Sequence, residues 1–284
     1  MVIFILAVGL AMGLSSPSWA ISTIAPKKPA SLGCILRATL QFTNPETYPR
    51  LMRLHSLYSE ITANHGDDSV AAIIAIFRNR EFLPENGVLH VVGPLVDFYE
   101  WAVPLLVRKD VRIIVSEIAE NQMLRRQIRS SSGRRQLWAL MGENNPQILE
   151  KSGLSFEEFE QAIAKRVWVS SDVTKHHFDP DDPSEIHPFK QKTPVPDADL
   201  LLSRLPQPSQ LHQSEILPRA KPGGLVWVVT ETGRMPRLDG IPLEGDAGLF
   251  VPDLYDGETQ KGRFLGIDLP GSEAFLYVAP SKKE

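Results

Sequence analysis

Three runs of strand length constrain this chain more than any other feature. Val88-Leu-His-Val-Val92, Val111-Arg-Ile-Ile-Val115 and Leu225-Val-Trp-Val-Val229 are apolar at nearly every position. A strand with one wet face alternates apolar and polar residues, so a continuous apolar run means burial on both faces. Strands buried in this way belong to parallel sheets, and parallel neighbours need long crossovers. The segments between the runs have helical spacing. The chain is therefore read as α/β: a Rossmann-like, mainly parallel sheet with helices on both faces.

Two helices are predicted ahead of the first strand. Pro49 to Asn64 places Leu51, Leu54, Leu57, Tyr58 and Ile61 on one face. Asp67-Asp68-Ser69 caps a second helix over Val70–Arg80, and Pro84 to Gly87 ends the pair. Beyond the first strand, the spacing predicts helices over Phe98–Arg108, Ala119–Arg129, Arg134–Met141 and Ser155–Lys165. The last of these opens with a capping box, Ser155-x-x-Glu158. Val167–Val169 reads as a third strand, 173–196 as a Pro-, Asp- and His-rich loop, and Ala198–Leu202 as a fourth strand. Ser209–Arg219 reads as a helix and Leu225–Thr230 as a fifth strand. Gly262–Leu269 and Glu273–Ala279 form a closing antiparallel hairpin joined by Pro270-Gly271.

The first twenty residues look like a targeting segment. Val2–Leu14 is apolar, and Ser18-Trp19-Ala20 puts small residues at the positions a signal peptidase requires. The segment has no Lys or Arg ahead of the apolar run, and the run falls short of the roughly 20 residues of a membrane span. A cleaved signal implies an exported protein with no stable membrane span; the alternative is a cytoplasmic one. The expected organisation is 1–20 signal, 21–47 extended lead-in, 48–84 helices and 85–284 a single Rossmann-like domain.

Composition excludes some classes. A formal net charge of -4 offers no excess of Lys and Arg for phosphate backbones, so nucleic acid is not an expected partner. The lone Cys34 excludes an internal disulfide and a cysteine-built zinc site. His176, His177, Asp179, Asp181, Asp182 and His187 are metal-capable, yet a proline-rich loop promises no convergent geometry, and no metal is expected. Arg125, Arg126, Arg129, Arg134 and Arg135 fit either a solvated helix face or a grip on an anionic substrate. No nucleophile-elbow or phosphate-loop motif is present.

In open α/β sheets ligands sit at the carboxyl ends of the strands, where strand order reverses. The turn after the first strand is Gly93-Pro94-Leu95-Val96-Asp97. The acid closing the second is Glu117, 24 residues beyond Gly93 and near the roughly 20 of a ribose-binding acid. Asp172 follows the third strand; Asp197-Ala-Asp-Leu-Leu-Leu202 leads into the fourth, and Lys221-Pro-Gly-Gly224 precedes the fifth. With the tail Gly266–Ala279, this ordered set resembles the class I S-adenosylmethionine-dependent methyltransferase superfamily over roughly residues 85–280.

The resemblance implies a seven-stranded sheet ordered 3-2-1-4-5-7-6. It also implies S-adenosylmethionine as cofactor, with Gly93, Leu95 and Asp97 at the first turn, Glu117 on the ribose and Asp172 beside the adenine. It names no catalytic residue and no methyl acceptor, which could be a small molecule or a protein. The chain departs from the pattern at the loop, usually acid-x-Gly-x-Gly-x-Gly. Only Gly93 remains, Leu95 and Val96 add side chains, and Pro94 removes an amide donor. His90, Val91 and Val92 stand where the family places an acid. Glu117 and Asp172 could instead cap the helices that follow them. The alternative is thus a catalytically inactive relative that keeps the fold as an exported binding or interaction module, since S-adenosylmethionine is made in the cytosol. A nucleotide-dependent oxidoreductase is a third, weaker reading, opposed by the Lys-Pro-Gly-Gly strand and the closing hairpin.

Overall fold

The structure is a computed structural model that describes residues 48–65, 69–93, 99–116, 122–144, 146–170, 173–204, 219–231, 249–250, 255–256, 261–264, 267–270 and 272–279. Helices α1 (Tyr48–His65) and α2 (Ser69–Arg78) come first. Strand β1 (Val88–Val92), α3 (Tyr99–Val107) and β2 (Arg112–Ser116) follow. Helices α4 (Gln122–Arg129), α5 (Ser131–Asn144), α6 (Pro146–Ser152) and α7 (Phe156–Arg166) lead to β3 (Val167–Ser170). Among its described residues the next crossover holds β4 (His177–Phe178) and β5 (Thr193–Pro194), paired with each other. Then come β6 (Ala198–Arg204), β7 (Ala220–Glu231), β8 (Leu249–Phe250), β9 (Tyr255–Asp256), β10 (Lys261–Phe264), β11 (Ile267–Pro270) and β12 (Ser272–Val278). Among the described residues no helix is long and apolar enough to cross a membrane.

The main sheet runs β3-β2-β1-β6-β7-β12-β8. Strands β1, β2, β3, β6 and β7 are parallel, and β12 lies antiparallel to both β7 and β8. The fold is therefore α/β and Rossmann-like, with an antiparallel C-terminal closure. One partner in that closure differs from the one expected. The arm predicted over Gly262–Leu269 folds on itself as β10 and β11 and joins β9 in a separate three-stranded sheet. Residues 261–264 instead pair with 267–270, and Ser272–Val278 pairs along its whole length with β7 on one edge and with β8 on the other.

Register sorts the side chains of the sheet into two layers. Leu89, Val91, Ile113, Val115, Val167, Val169, Leu200, Leu202, Leu225 and Trp227 face the main core, which also takes residues from all seven described helices. Trp227 is fully buried there, edge-on to Tyr58 of α1 at 5.4 Å and tilted on Phe82 at 6.0 Å. Such ring pairs add about 0.5–1.5 kcal/mol beyond area burial, and the buried cluster is continuous from Leu51 to Val278.

The opposite layer is covered differently. Val88, Ile114 and Trp168 pack against Phe178 and Val195 of the 173–197 crossover, which carries no helix. Pro180, Pro183, Pro188, Pro194 and Pro196 explain this, because each lacks an amide donor and blocks helical continuation. The helix expected over Ser209–Arg219 lies, but for Arg219, outside the described residues.

Two arginines fasten helix ends. Arg108 donates to the carbonyl of Phe77 in the last turn of α2 (3.1 Å) and to those of Leu83 (2.9 Å) and Pro84 (3.0 Å) beyond it, and grips Asp110 through two nitrogens at 2.8 and 2.6 Å. Arg166 donates to Leu105 and Arg108 at the end of α3. Both satisfy carbonyls that a helix terminus leaves without partners. The Ser155–Glu158 capping box starts α7 as its sequence signature implies, with both reciprocal bonds present.

Candidate functional site

Strand order reverses between β1 and β6, since β2 and β3 lie on one side of β1 and β6 and β7 on the other. A ligand crevice belongs at the carboxyl ends there. The chain leaves β1 through Gly93, whose φ of 66° lies in the left-handed region that favours glycine. The Gly93 amide donates to the Ser116 carbonyl at 3.0 Å. The bend after β1 is thereby fixed beside the peptide that joins Ser116 to Glu117. Of the five cofactor residues named from sequence, Gly93 is placed at this point. Leu95, Asp97, Glu117 and Asp172 lie outside the described residues.

A polar rung that sequence reasoning missed runs just below this edge. Ser170 pairs with Ser116, Ser116 with Val92, and Val92 with Ser203. Residues in parallel register project to the same side, so three hydroxyls share one face across four adjacent strands. All three serines are buried. Each ends an apolar run (Ile-Ile-Val-Ser, Val-Trp-Val-Ser, Leu-Leu-Leu-Ser), where it read as a strand boundary rather than a site.

His90 projects from the same face, and its Nε2 lies 2.7 Å from Ser116 Oγ. Burial, and then the positive charge of Arg219, push its pKa down to about 3. His90 is therefore a neutral imidazole at physiological pH and a poor proton acceptor, in keeping with a hydrogen-bonded core histidine rather than a general base. His90 Nδ1 and Ser203 Oγ are buried with no hydrogen-bond partner among the described residues. Buried polar atoms in native proteins are almost always paired.

The Lys221-Pro-Gly-Gly224 motif lies inside β7, at its amino end, rather than in a turn before the strand. Lys221 Nζ binds both Asp199 oxygens at 2.8 and 2.7 Å, and Asp199 also accepts the Val88 amide at 2.7 Å. Gly223 has a φ of 73°, its carbonyl accepts from Arg50, and its amide donates to Ala279 at 2.9 Å. A Cβ on Gly224 would meet the Ala198 and Lys221 carbonyl oxygens at 2.9 Å. Both glycines are thus fixed by backbone geometry, at the end of the sheet opposite the crevice.

Asp179, Asp182, Glu185 and His187 of the 173–197 crossover are engaged within that loop. Lys175 pairs with Asp182 at 2.5 Å and with Glu185 at 2.7 Å. The bonds from Lys175 and Ser184 hold the Asp182 carboxyl well below the usual carboxylate range. Glu185 also accepts the Asp179 amide, and the His187 ring packs on Phe178 at 5.4 Å. Among the described residues no three His, Cys, Asp or Glu side chains converge on a point.

The arginines between β2 and β3 divide in role. Arg134 pairs with Glu160 and donates to the Ile128 and Arg129 carbonyls at the end of α4. Arg135 lies 4.8 Å over the Phe156 ring. Arg129 donates to the Glu185 carbonyl at 3.2 Å. Arg129 and Arg134 also line a cavity of about 520 Å³ between α4, α5, α7 and the 173–197 crossover.

No protein-family model and no curated protein sequence matches this chain. Among solved structures, it is similar to a precorrin-6y C5,15-methyltransferase from Geobacter metallireducens (13% identity, 74% of this chain and 87% of that one, TM-score 0.36). It is also similar to a SAM-dependent methyltransferase from Aquifex aeolicus (12%, 69% and 83%, TM-score 0.30). A third is an N-methyltransferase from Bradyrhizobium japonicum (8%, 82% and 98%, TM-score 0.29). At these scores the likenesses add no weight of their own, and the fold argument rests on strand order and register.

Proposed function

We propose that the chain is a class I methyltransferase-fold protein whose crevice, at the carboxyl ends of β1, β2 and β6, holds S-adenosylmethionine. The observation that carries this reading is the Gly93 bend, hydrogen-bonded to the carbonyl that directly precedes Glu117. Strand order supports it, with antiparallel β12 between β7 and β8 giving the 3-2-1-4-5-7-6 arrangement that the family resemblance implies. Gly93, Leu95 and Asp97 would line the first turn, Glu117 would accept from the ribose hydroxyls, and Asp172 would stand beside the adenine.

The placed residues fit such a ligand in one respect: His90 Nδ1 and Ser203 Oγ, near the strand-order reversal, have no hydrogen-bond partner among the described residues. When bound, the cofactor supplies an electrophilic methyl group. The protein's share of catalysis is then to position an acceptor in line with it.

A second reading keeps the fold without catalysis, and the single-glycine turn favours it. Leu95 and Val96 occupy positions where a backbone should approach the ligand, and Pro94 cannot donate. Calorimetric titration of the full chain with S-adenosylmethionine and S-adenosylhomocysteine separates the two readings. Micromolar binding that weakens at least about tenfold in Glu117→Ala, with the melting temperature unchanged, is the result expected of the methyltransferase reading. No heat at about millimolar ligand assigns the chain to the inactive class.

Export is a linked proposal, resting on the apolar run and the Ser18-Trp19-Ala20 site. Sequencing the N-terminus of the protein recovered from its own cell should begin at Ile21. Recovery of Met1 ends the export reading and removes an objection to cytosolic catalysis.

A further inference from the structure

The cavity beside β3 is built from two unlike materials. Its floor is apolar, formed by Ile128 of α4, Ile163 of α7, and Ile186 and Phe189 of the crossover. Phe189 is 42% exposed although it packs edge-on against Trp168 at 5.2 Å. The rim carries Arg129 and Lys190, both exposed, with no carboxylate paired to either among the described residues. The acid in the wall, Glu185, has a fully buried side chain spent on Lys175 and the Asp179 amide, so its charge is compensated inside the loop. Arg134 is likewise neutralised by Glu160. The His187 Nδ1 atom has neither solvent access nor a partner among the described residues.

We propose that this cavity is a binding site for a small organic carboxylate with an aromatic or branched apolar body. The body lies on Ile128, Ile163, Ile186 and Phe189, and the carboxylate lies between Arg129 and Lys190. Three observations support this assignment. The volume of about 520 Å³ falls within the usual range for small-molecule sites. The exposed ring of Phe189, set among the apolar residues of the floor, gains from being covered. Two uncompensated cations at the rim favour an anion over a neutral or cationic molecule of the same shape. The site lies along the outer edge of β3, reached through the Val169–Ile186 bridge, whereas the crevice proposed above is at β1 and β6. It stands whether or not the chain binds S-adenosylmethionine.

The test titrates the full chain with 2-naphthoate and with its neutral counterpart 2-naphthylmethanol, followed by calorimetry and by quenching of tryptophan fluorescence. The expected result is saturable binding of 2-naphthoate, with the alcohol about tenfold weaker, and weakening of the acid alone as salt is raised. The double variant Arg129→Gln, Lys190→Gln should lose that preference while melting like the parent. Ala164→Leu, at an exposed helix position lining the cavity, should weaken acid and alcohol alike by filling the space. Equal affinity for acid and alcohol, an acid preference that survives the double variant, or no binding of either up to about 5 mM overturns the proposal.

Discussion

Arg108→Ala lowers the stability of the fold by about 2–3 kcal/mol, the range for losing a charged hydrogen-bond donor to otherwise enclosed carbonyls. The guanidinium is almost fully enclosed, its side chain 9% exposed. It serves four partners at once: the carbonyls of Phe77, Leu83 and Pro84 and the carboxylate of Asp110. No alanine, and no single water in its place, can reach all four. Arg108→Lys keeps the charge but lacks the planar fork, so it should recover only part of the loss. Urea melts of the two variants against the parent measure both effects. A loss below about 1 kcal/mol for the alanine would mean that these carbonyls find other partners, and the account of how α2 is pinned to α3 would fail. The bond from Arg108 holds the Asp110 carboxyl well below the usual carboxylate range. Its contribution is therefore whole above the unfolded carboxylate pKa and is lost only as pH falls into strong acid.

The second large effect belongs to His90. An unfolded chain takes up a proton there near 6.5, the ordinary value for histidine, while the folded protein does not until about 3. Between those limits the unfolded state binds more protons, so stability falls as pH falls, at most about 1.4 kcal/mol per pH unit. His90→Gln cannot titrate but keeps a polar end for Ser116. At pH 7 it should be somewhat less stable than the parent, and the gap should close or reverse by pH 4. Denaturant midpoints of both proteins from pH 7 to 4 decide the matter. Two curves that stay parallel through this window would show that His90 is not held neutral by burial.

The parallel sheet was legible in the sequence because its strands have to be apolar on both sides. VLHVV, VRIIV and LVWVV announce this without help from neighbours. The α7 start was equally plain, since a capping box is a local device. The outer partner of β12 was not legible, because Leu249–Phe250 is only two residues long and carries no strand signal of its own, whereas Gly262–Leu269 does. Lys221-Pro-Gly-Gly224 reads as a turn from its composition, yet tertiary bonds from Arg50, Asp199 and Ala279 draw it into the strand. The serine rung escaped notice because alignment across strands is invisible in a linear string, and each hydroxyl looked like the end of a run. Of the candidate site, sequence located the bend at Gly93. It could not show that its amide would be spent on the neighbouring strand.

The fastening at Gly223 has a wider consequence. Arg50, in α1, and Ala279, just past β12, both bond to that one glycine, at the pole of the sheet away from the strands' carboxyl ends. Helix α1 and strand β12, far apart in sequence, are thus clasped together at a single residue. A handle attached beside this clasp would grip the sheet by the pole opposite the Gly93 bend.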